Sequence, residues 1–200
     1  MINGYIRYVE NKVLDNIIIP TIINKLCFDY YHITLIEDEW DKTIFKGEDK
    51  ADFFDNNLAT INYGGYAGIY TKKPAIDGIH IWKFKNHGPT GCGVGLVIGI
   101  VPERNFSKYY PWYSDNDGES EYAFDERSAS LNNKSGKYGK PLQQNDIISM
   151  TLDFNKKTLS YTINNTDYGK AFDIDDTQKY RMAVSICEGR YLQLCHVSVM

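Results

Sequence analysis

The stretch QNDIISMTLDFNKKTLSYTINNTDYGKAF, from Gln144 to Phe172, decides how this 200-residue chain folds. Apolar side chains occupy every second position of residues 148–154 and again of residues 159–163. Such period-two alternation is typical of strands that bury one face and expose the other. Asn164-Asn165 can then turn the chain, because asparagine tolerates the left-handed backbone that tight hairpins need. The stretch predicts an antiparallel scaffold without a catalytic group, which favours a binding module over an enzyme.

Length, composition and charge narrow the class of protein. Two hundred residues are enough for a single all-β sandwich that buries its own core. The chain contains 16 tyrosines, a residue that suits both a core and a binding surface. Its net charge is −4 and no run of lysine or arginine exceeds two residues, so we expect no nucleic-acid-binding surface.

Cysteine spacing and apolar runs indicate the cellular environment. The four cysteines, at positions 27, 92, 187 and 195, do not have the spacing of a metal site. The N-terminus lacks the order of a signal peptide, and the apolar run 17–23 is far shorter than the ~20 residues of a membrane span. We therefore expect a soluble, reduced, cytoplasmic protein without a metal, a cofactor or a membrane contact.

Residues 1–32 differ in pattern from the rest of the chain. Apolar residues recur at helical spacing over residues 5–13 and again over residues 19–30, with Pro20 where the first turn of a helix tolerates it. These stripes predict two short helices that either pack on the sandwich or dock another protein or a second copy. We therefore divide the chain into a helical extension, 1–32, and a β-sandwich domain, 33–200.

Short apolar segments separated by turn residues follow this extension, as in all-β sandwiches and barrels. The strands are expected near residues 43–46, 58–61, 66–72, 78–85, 93–101, 121–125, 146–154, 158–164, 181–187 and 191–199. Residues 188–190 (Glu-Gly-Arg) are expected to join the last two strands as a terminal hairpin.

Three blocks of the chain resemble SPRY domains in sequence and in order. Residues 77–84 (DGIHIWKF) resemble the family's Ser-Gly-x-x-Tyr-Trp-Glu-Val strand, and residues 97–101 (VIGIV) resemble its Ile-Gly-Val-Ala strand. Residues 145–172 resemble its paired strands that end in Asn-Gly and in a Gly-x-Ala-Phe-like segment, although Asn145 and Asn165 stand where glycine is usual. The resemblance implies a bent antiparallel two-sheet β-sandwich, of the concanavalin-like jelly-roll type, after the two helices.

The resemblance also implies protein–protein recognition, because SPRY domains generally bind a peptide or a protein surface through loops at one edge of the sandwich. In this chain we expect that role for the long connection 102–119, since loops of such length are uncommon unless they are functional or mobile. Tryptophan and tyrosine bury large areas with few rotatable bonds, and a neighbouring arginine can pair a carboxylate. The expected partner-binding residues are Tyr109, Tyr110, Trp112, Tyr113 and Arg104, with Tyr63, Tyr66 and Arg127 as weaker additions. Some of these rings can instead be core residues that cover the end of the sandwich.

No residue pattern indicates catalysis. The glycines of residues 91–99 precede an apolar strand and not a helix, so they do not form a dinucleotide-binding loop. The sequence Asp115-Asn116-Asp117-Gly118 lacks ligands at both ends of a calcium loop and predicts a turn. His87 and Cys92 have no third group to orient them as a catalytic pair.

Two other functions remain open at this stage. A two-sheet sandwich can bind carbohydrate as lectins do, with an aromatic ring against the sugar. The chain can also be a structural subunit that its N-terminal helices hold in a larger assembly. The sequence leaves the oligomeric state open.

Overall fold

A computed structural model describes most of the expected β domain. The described residues are 33–34, 39–46, 51–53, 58–61, 66–87, 96–104, 122–125, 129–131, 135–187 and 191–199. The helices expected within residues 1–32 lie outside this set.

The described residues form fourteen strands. In chain order the strands are β1 (Ile33–Thr34), β2 (Trp40–Lys46), β3 (Ala51–Phe53), β4 (Leu58–Ile61), β5 (Tyr66–Thr71), β6 (Ile79–Asn86), β7 (Val97–Pro102), β8 (Tyr122–Asp125), β9 (Ser130–Leu131), β10 (Ile147–Asp153), β11 (Thr158–Ile163), β12 (Thr166–Asp173), β13 (Tyr180–Cys187) and β14 (Tyr191–Val199).

The strands form two antiparallel sheets, which confirms the all-β sandwich. The larger sheet has the order β12-β11-β10-β6-β14-β4-β3, and β1 also pairs with β14. The smaller sheet has the order β2-β5-β13-β7-β8-β9. Every expected strand has an observed counterpart.

The core lies between the two sheets and follows from the alternation in the sequence. In β6, β10 and β11, buried and half-buried side chains alternate without interruption over most of each strand. Met150 of β10 pairs with Trp82 on one side and Tyr161 on the other, and all three side chains are fully buried. The smaller sheet faces them with Ile98, Met182, Val184 and other apolar residues of the same core cluster.

Asparagine takes the place of glycine at two tight turns. Asn145 and Asn165 have φ angles of 67° and 66°, in the left-handed region that glycine usually supplies. Asn164, beside Asn165, has a φ of 48°, and its side-chain amide donates to Asp146 Oδ1 at 2.5 Å. Its side-chain oxygen accepts a hydrogen bond from the backbone N–H of Ile147 at 2.9 Å. The two departures from the family pattern therefore preserve the turns.

A tyrosine completes the hydrogen bonding at the β12 edge of the larger sheet. The register between β11 and β12 shifts beside Tyr161, where Gly169 has a φ of 74°. The hydroxyl of Tyr138 accepts a hydrogen bond from the backbone N–H of Tyr161 at 3.2 Å and donates one to the carbonyl of Gly169 at 2.6 Å. It thus bridges two strands where their own ladder is interrupted.

The prediction that the last two strands form a terminal hairpin is wrong. β13 pairs with β5 and β7 in the smaller sheet, whereas β14 pairs with β6, β4 and β1 in the larger sheet. Because both edges of β13 are occupied, β14 cannot add to it, and the chain crosses between sheets after β13. Four strands were also not expected from the sequence, namely β1, β3, β9 and β12.

The smaller sheet is buried on its outward face as well. Tyr70, Val101 and Ala183 form an apolar cluster separate from the main core, and each is at most 1% exposed. Tyr70, Ala183 and Gly99 are paired across β5, β13 and β7, so they lie on one face. A Cβ atom at Gly99 would overlap the carbonyl oxygen of Tyr122 on β8, so the strands approach closely there.

Candidate functional site

Four connections meet at the end of the sandwich where β7 finishes and β13 begins. They are residues 72–78, 103–104, 154–157 and 174–179, and we call this end the Arg104 rim. Backbone hydrogen bonds join them to one another and to the first residue of β13. The pairs and their N···O distances are Ala75 to Tyr180 at 2.7 Å, Glu103 to Lys179 at 2.8 Å, Phe154 to Gly78 at 3.0 Å and Ile174 to Lys157 at 2.9 Å. The main chain of the rim is therefore fixed by bonds between connections as well as within them.

Asp175 and Tyr180 fix the connection between β12 and β13. The Tyr180 hydroxyl accepts from the backbone N–H of Asp175 at 3.2 Å and donates to the carbonyl of the same residue at 3.0 Å. The Asp175 carboxylate accepts hydrogen bonds from Thr177 Oγ1 at 2.6 Å and Gln178 Nε2 at 2.8 Å. These bonds, first that of the Thr177 side chain, lower the pKa of Asp175 from 3.8 to about 2. Burial raises the pKa of Tyr180, so the hydroxyl keeps its proton.

An arginine of β13 contacts β2, β5 and the residue that follows β7 at the same rim. Arg181 donates through Nε and Nη2 to the two carboxylate oxygens of Glu103, the second at 3.1 Å. Its Nη1 atom donates to Asp41 Oδ2 at 3.2 Å and to the carbonyl of Thr71 at 3.0 Å. Burial by itself lowers the pKa of Arg181, but the bonds and charges of Glu103 and Asp41 outweigh it and the pKa is raised. The guanidinium thus stays charged while it holds β13 to the ends of β7 and β2.

The solvent-facing side chains of the rim combine one apolar group with several charges. Ile76 is 52% exposed, and among the residues whose burial the structure describes it is the one large apolar side chain that is exposed. Lys73 on the same connection is exposed, as are Arg104 and Lys179 on the neighbouring connections. Lys72 is also exposed and forms an ion pair with Glu39 at 2.6 Å. Ile76 was not among the residues expected from the sequence, because a lone apolar residue in a turn has no periodic pattern.

The structure describes two of the eight partner-binding residues expected from the sequence. Arg104 lies at the rim, directly after β7, and its positive charge contributes to the lowered pKa of Asp175. Tyr66 begins β5 and pairs with Cys187, at the end of β13 opposite to the rim. The other six lie outside the described residues, and they are Tyr63, Tyr109, Tyr110, Trp112, Tyr113 and Arg127.

Groups with possible chemical activity have structural partners. The Nε2 atom of buried His80 lies 2.8 Å from the carbonyl oxygen of Asp77, and its ring stacks on Trp82 with centroids 5.6 Å apart. Within the described ranges, no three His, Cys, Asp or Glu side chains are grouped as ligands of a metal ion. Nor does that part of the chain contain a helix that is long and apolar enough to span a membrane.

Comparison with known proteins identifies the fold and the family. The SPRY domain family model matches residues 79–196, which is more than half of the chain. The crystal structure of the SPRY domain of human HERC1 is similar at 18% identity, with a TM-score of 0.61, over 78% of this chain and 96% of that chain. The crystal structure of the TRIM65 PSpry domain is similar at 14% identity, with a TM-score of 0.58, over 90% of this chain and 98% of that chain. No curated protein sequence matches the chain.

Proposed function

This chain belongs to the SPRY domain family, and we propose that it is a non-enzymatic binding module that recognises a peptide or protein surface at the Arg104 rim. SPRY domains are generally protein-interaction modules. Our proposal adds to this general role the surface that binds the partner and the residues that make the contact.

The observation that supports this place is the hydrogen bonding between the connections of the rim. Five backbone hydrogen bonds, two of them between Ala75 and Tyr180 of β13, hold segments that are distant in sequence in one arrangement. A surface held in this way loses little conformational freedom when a partner binds, so more of the contact energy appears as affinity. The rim is therefore suited to recognition before any partner arrives.

Residues 105–121, which we call the aromatic connection, are flanked on both sides by residues at or near this rim. It leaves β7 at Arg104, and it returns to Tyr122, which pairs with Ile100 near the end of β7. Its rings, Tyr109, Tyr110, Trp112 and Tyr113, have the size and the few rotatable bonds of interface anchor residues. We assign the apolar contact to these rings and to exposed Ile76, and the charged contact to Arg104. Tyr66, at the other end of β13, would contact only a partner that extends along the smaller sheet.

A selection experiment tests this proposal. Peptides selected from a random library on the wild-type chain are compared by titration for binding to wild type, Trp112→Ala, Ile76→Ala and Thr162→Ala. We expect Trp112→Ala to weaken binding by about 2 kcal/mol or more, roughly 30-fold, and Ile76→Ala to weaken it by a smaller factor. Thr162, on the outward face of β11, is the matched control and should leave the affinity unchanged.

Two results would contradict the proposal. If Trp112→Ala unfolds the domain in the absence of peptide, Trp112 is a core residue and not a contact. If the selected peptides bind Trp112→Ala and Ile76→Ala as tightly as wild type, the partner binds elsewhere on the sandwich.

A further inference from the structure

We propose that the Arg104 rim selects a partner segment in which an apolar side chain lies next to a carboxylate, and that Ile76 and Lys179 determine this specificity. Ile76 supplies the apolar contact and Lys179 the positive charge, and both side chains are exposed. The inference deepens the proposed function and rests on it.

Main-chain pairing brings Ile76 and Lys179 next to each other. Ala75 and Tyr180 form an antiparallel bridge, with N···O distances of 2.7 and 3.0 Å. In an antiparallel pair the residues that flank such a bridge are opposite each other, so Ile76 is opposite Lys179. Side chains alternate between the two faces of a strand, and Ala75 and Tyr180 belong to the core. Ile76 and Lys179 therefore share the outward face.

Most charges at the rim already have a partner of opposite charge. The ion pairs are Lys72 with Glu39, Lys156 with Asp153, Lys157 with Asp176, and Arg181 with both Asp41 and Glu103. The Asp175 carboxylate accepts hydrogen bonds from its own connection. Within the described residues, Lys73 and Lys179 form no ion pair, so their charges are available to a carboxylate of the partner.

This distribution of charge favours an acidic partner over a basic one. A carboxylate gains a charge contact at the rim without breaking an ion pair, whereas an ammonium group would compete with Lys157 or Arg181 for the acids. Asp77 acts in the opposite direction, since it is exposed directly after Ile76 and disfavours a carboxylate. Charges at the edge of an interface mainly affect the rate of association and the choice of partner.

Selection from one random peptide library on two proteins tests the charge preference. Peptides selected on the wild-type chain should carry Asp or Glu next to an apolar residue. Peptides selected on the double variant Lys73→Glu with Lys179→Glu should carry Lys or Arg there instead. Both lysines are exposed, so the fold should be preserved, which urea unfolding checks. An equal acidic content in the two sets of peptides would overturn the inference.

Titration of a peptide selected on wild type measures the effect of single charges. We expect Lys179→Gln to weaken binding about two- to fivefold at low salt, and Asp77→Asn to strengthen it by a similar factor. Both effects should shrink in about 1 M salt, where exposed charges are screened. Lys137→Gln removes an exposed lysine outside the rim and should leave the affinity unchanged. Unchanged affinity in Lys179→Gln, or weaker binding by Asp77→Asn, would contradict the charge preference.

Ile76→Ala separates this inference from the proposed function. If peptides selected on wild type bind Ile76→Ala less tightly but carry no excess of acids, the partner binds at the rim without a charge preference. The inference then fails and the proposed function stands. If the peptides bind Ile76→Ala and Trp112→Ala as tightly as wild type, the proposed function fails, and the inference fails with it.

Discussion

The outward faces of the two sheets differ in what covers them. On the larger sheet, Ser149 pairs with Thr162 and Thr151 pairs with Ser160, and all four side chains are half-exposed. On the smaller sheet, five outward residues of β5, β7 and β13 are buried, and Arg181 at the end of the same face is only partly exposed. The five buried residues are Tyr70, Val97, Val101, Ala183 and Ser185. One sheet therefore has a solvated side and the other has two protected sides.

This difference explains where alternation in sequence is informative. A strand between core and solvent must alternate apolar and polar residues, as β10 and β11 do. A strand that is buried on both faces does not need polar residues at alternate positions. β7 is such a strand, since five of its consecutive residues are buried. Such a strand is recognised as a continuous apolar run, but the run does not reveal which side faces the core.

The largest expected effect comes from placing a lysine on each face. Ala183→Lys should destabilise the domain by at least about 3–5 kcal/mol, because the side chain and its charge enter a buried surface between Tyr70 and Gly99. Thr151→Lys, the matched change on the larger sheet, should stay within about 0.5 kcal/mol. Urea unfolding of the full chain measures both. Similar losses of unfolding free energy in the two variants would mean that the outward faces of the two sheets do not differ in burial.

A smaller effect is expected at the edge of the larger sheet, where its regular pairing is interrupted. Tyr138→Phe removes the hydroxyl that bridges Tyr161 and Gly169, and we expect a loss of about 1–3 kcal/mol in unfolding free energy. Tyr168→Phe is the control, since its half-exposed ring lies beside Tyr138 with centroids 6.0 Å apart. Thermal or urea unfolding distinguishes them, and a Tyr138→Phe variant as stable as the control would show that the bridge is dispensable.

The smallest effect concerns Asp175, in the connection from β12 of the larger sheet to β13 of the smaller sheet. The pKa of Asp175 is about 2 in the folded chain and 3.8 ordinarily, so the folded state favours the ionised carboxylate. Its contribution to stability is complete above about pH 5 and disappears as the pH falls towards 2. Unfolding free energies measured over this range should fall less steeply in Asp175→Asn than in wild type. If the unfolding free energies of the two proteins fall in parallel with pH, Asp175 does not contribute to the loss of stability in acid.

Much of the fold was predictable because the larger sheet follows simple rules. Alternation located β10 and β11, and an apolar segment that resembles a strand of SPRY domains located β6. The polar residues between β10 and β11 and after β11 located the turns. β12 was missed because four of its first five residues are exposed and only Tyr168 among them is half-buried, so no alternation marks the strand before Ala171. The crossing from β13 to β14 was missed because a short turn looks alike whether it joins neighbours or changes sheets.

The candidate site was less predictable than the fold. The resemblance to SPRY domains indicated an edge of loops, and composition indicated the aromatic connection. The network of Arg181 was not visible, because its partners Glu103 and Asp41 are 78 and 140 residues away in sequence. Ion pairs of this kind depend on the register between strands, which a single sequence does not contain.

The hydrogen bonds of Asn164 have a consequence for covalent modification. Asn164-Asn165-Thr166 is an acceptor sequence for N-linked glycosylation, and the side-chain nitrogen of Asn164 is the atom that would carry the sugar. In the folded chain that nitrogen donates to Asp146, while the neighbouring oxygen accepts from Ile147. A glycan would replace one of the two hydrogens of that nitrogen and would place a bulky group beside the bond to Asp146. Modification of Asn164 would therefore act directly on the side chain that holds the hairpin turn.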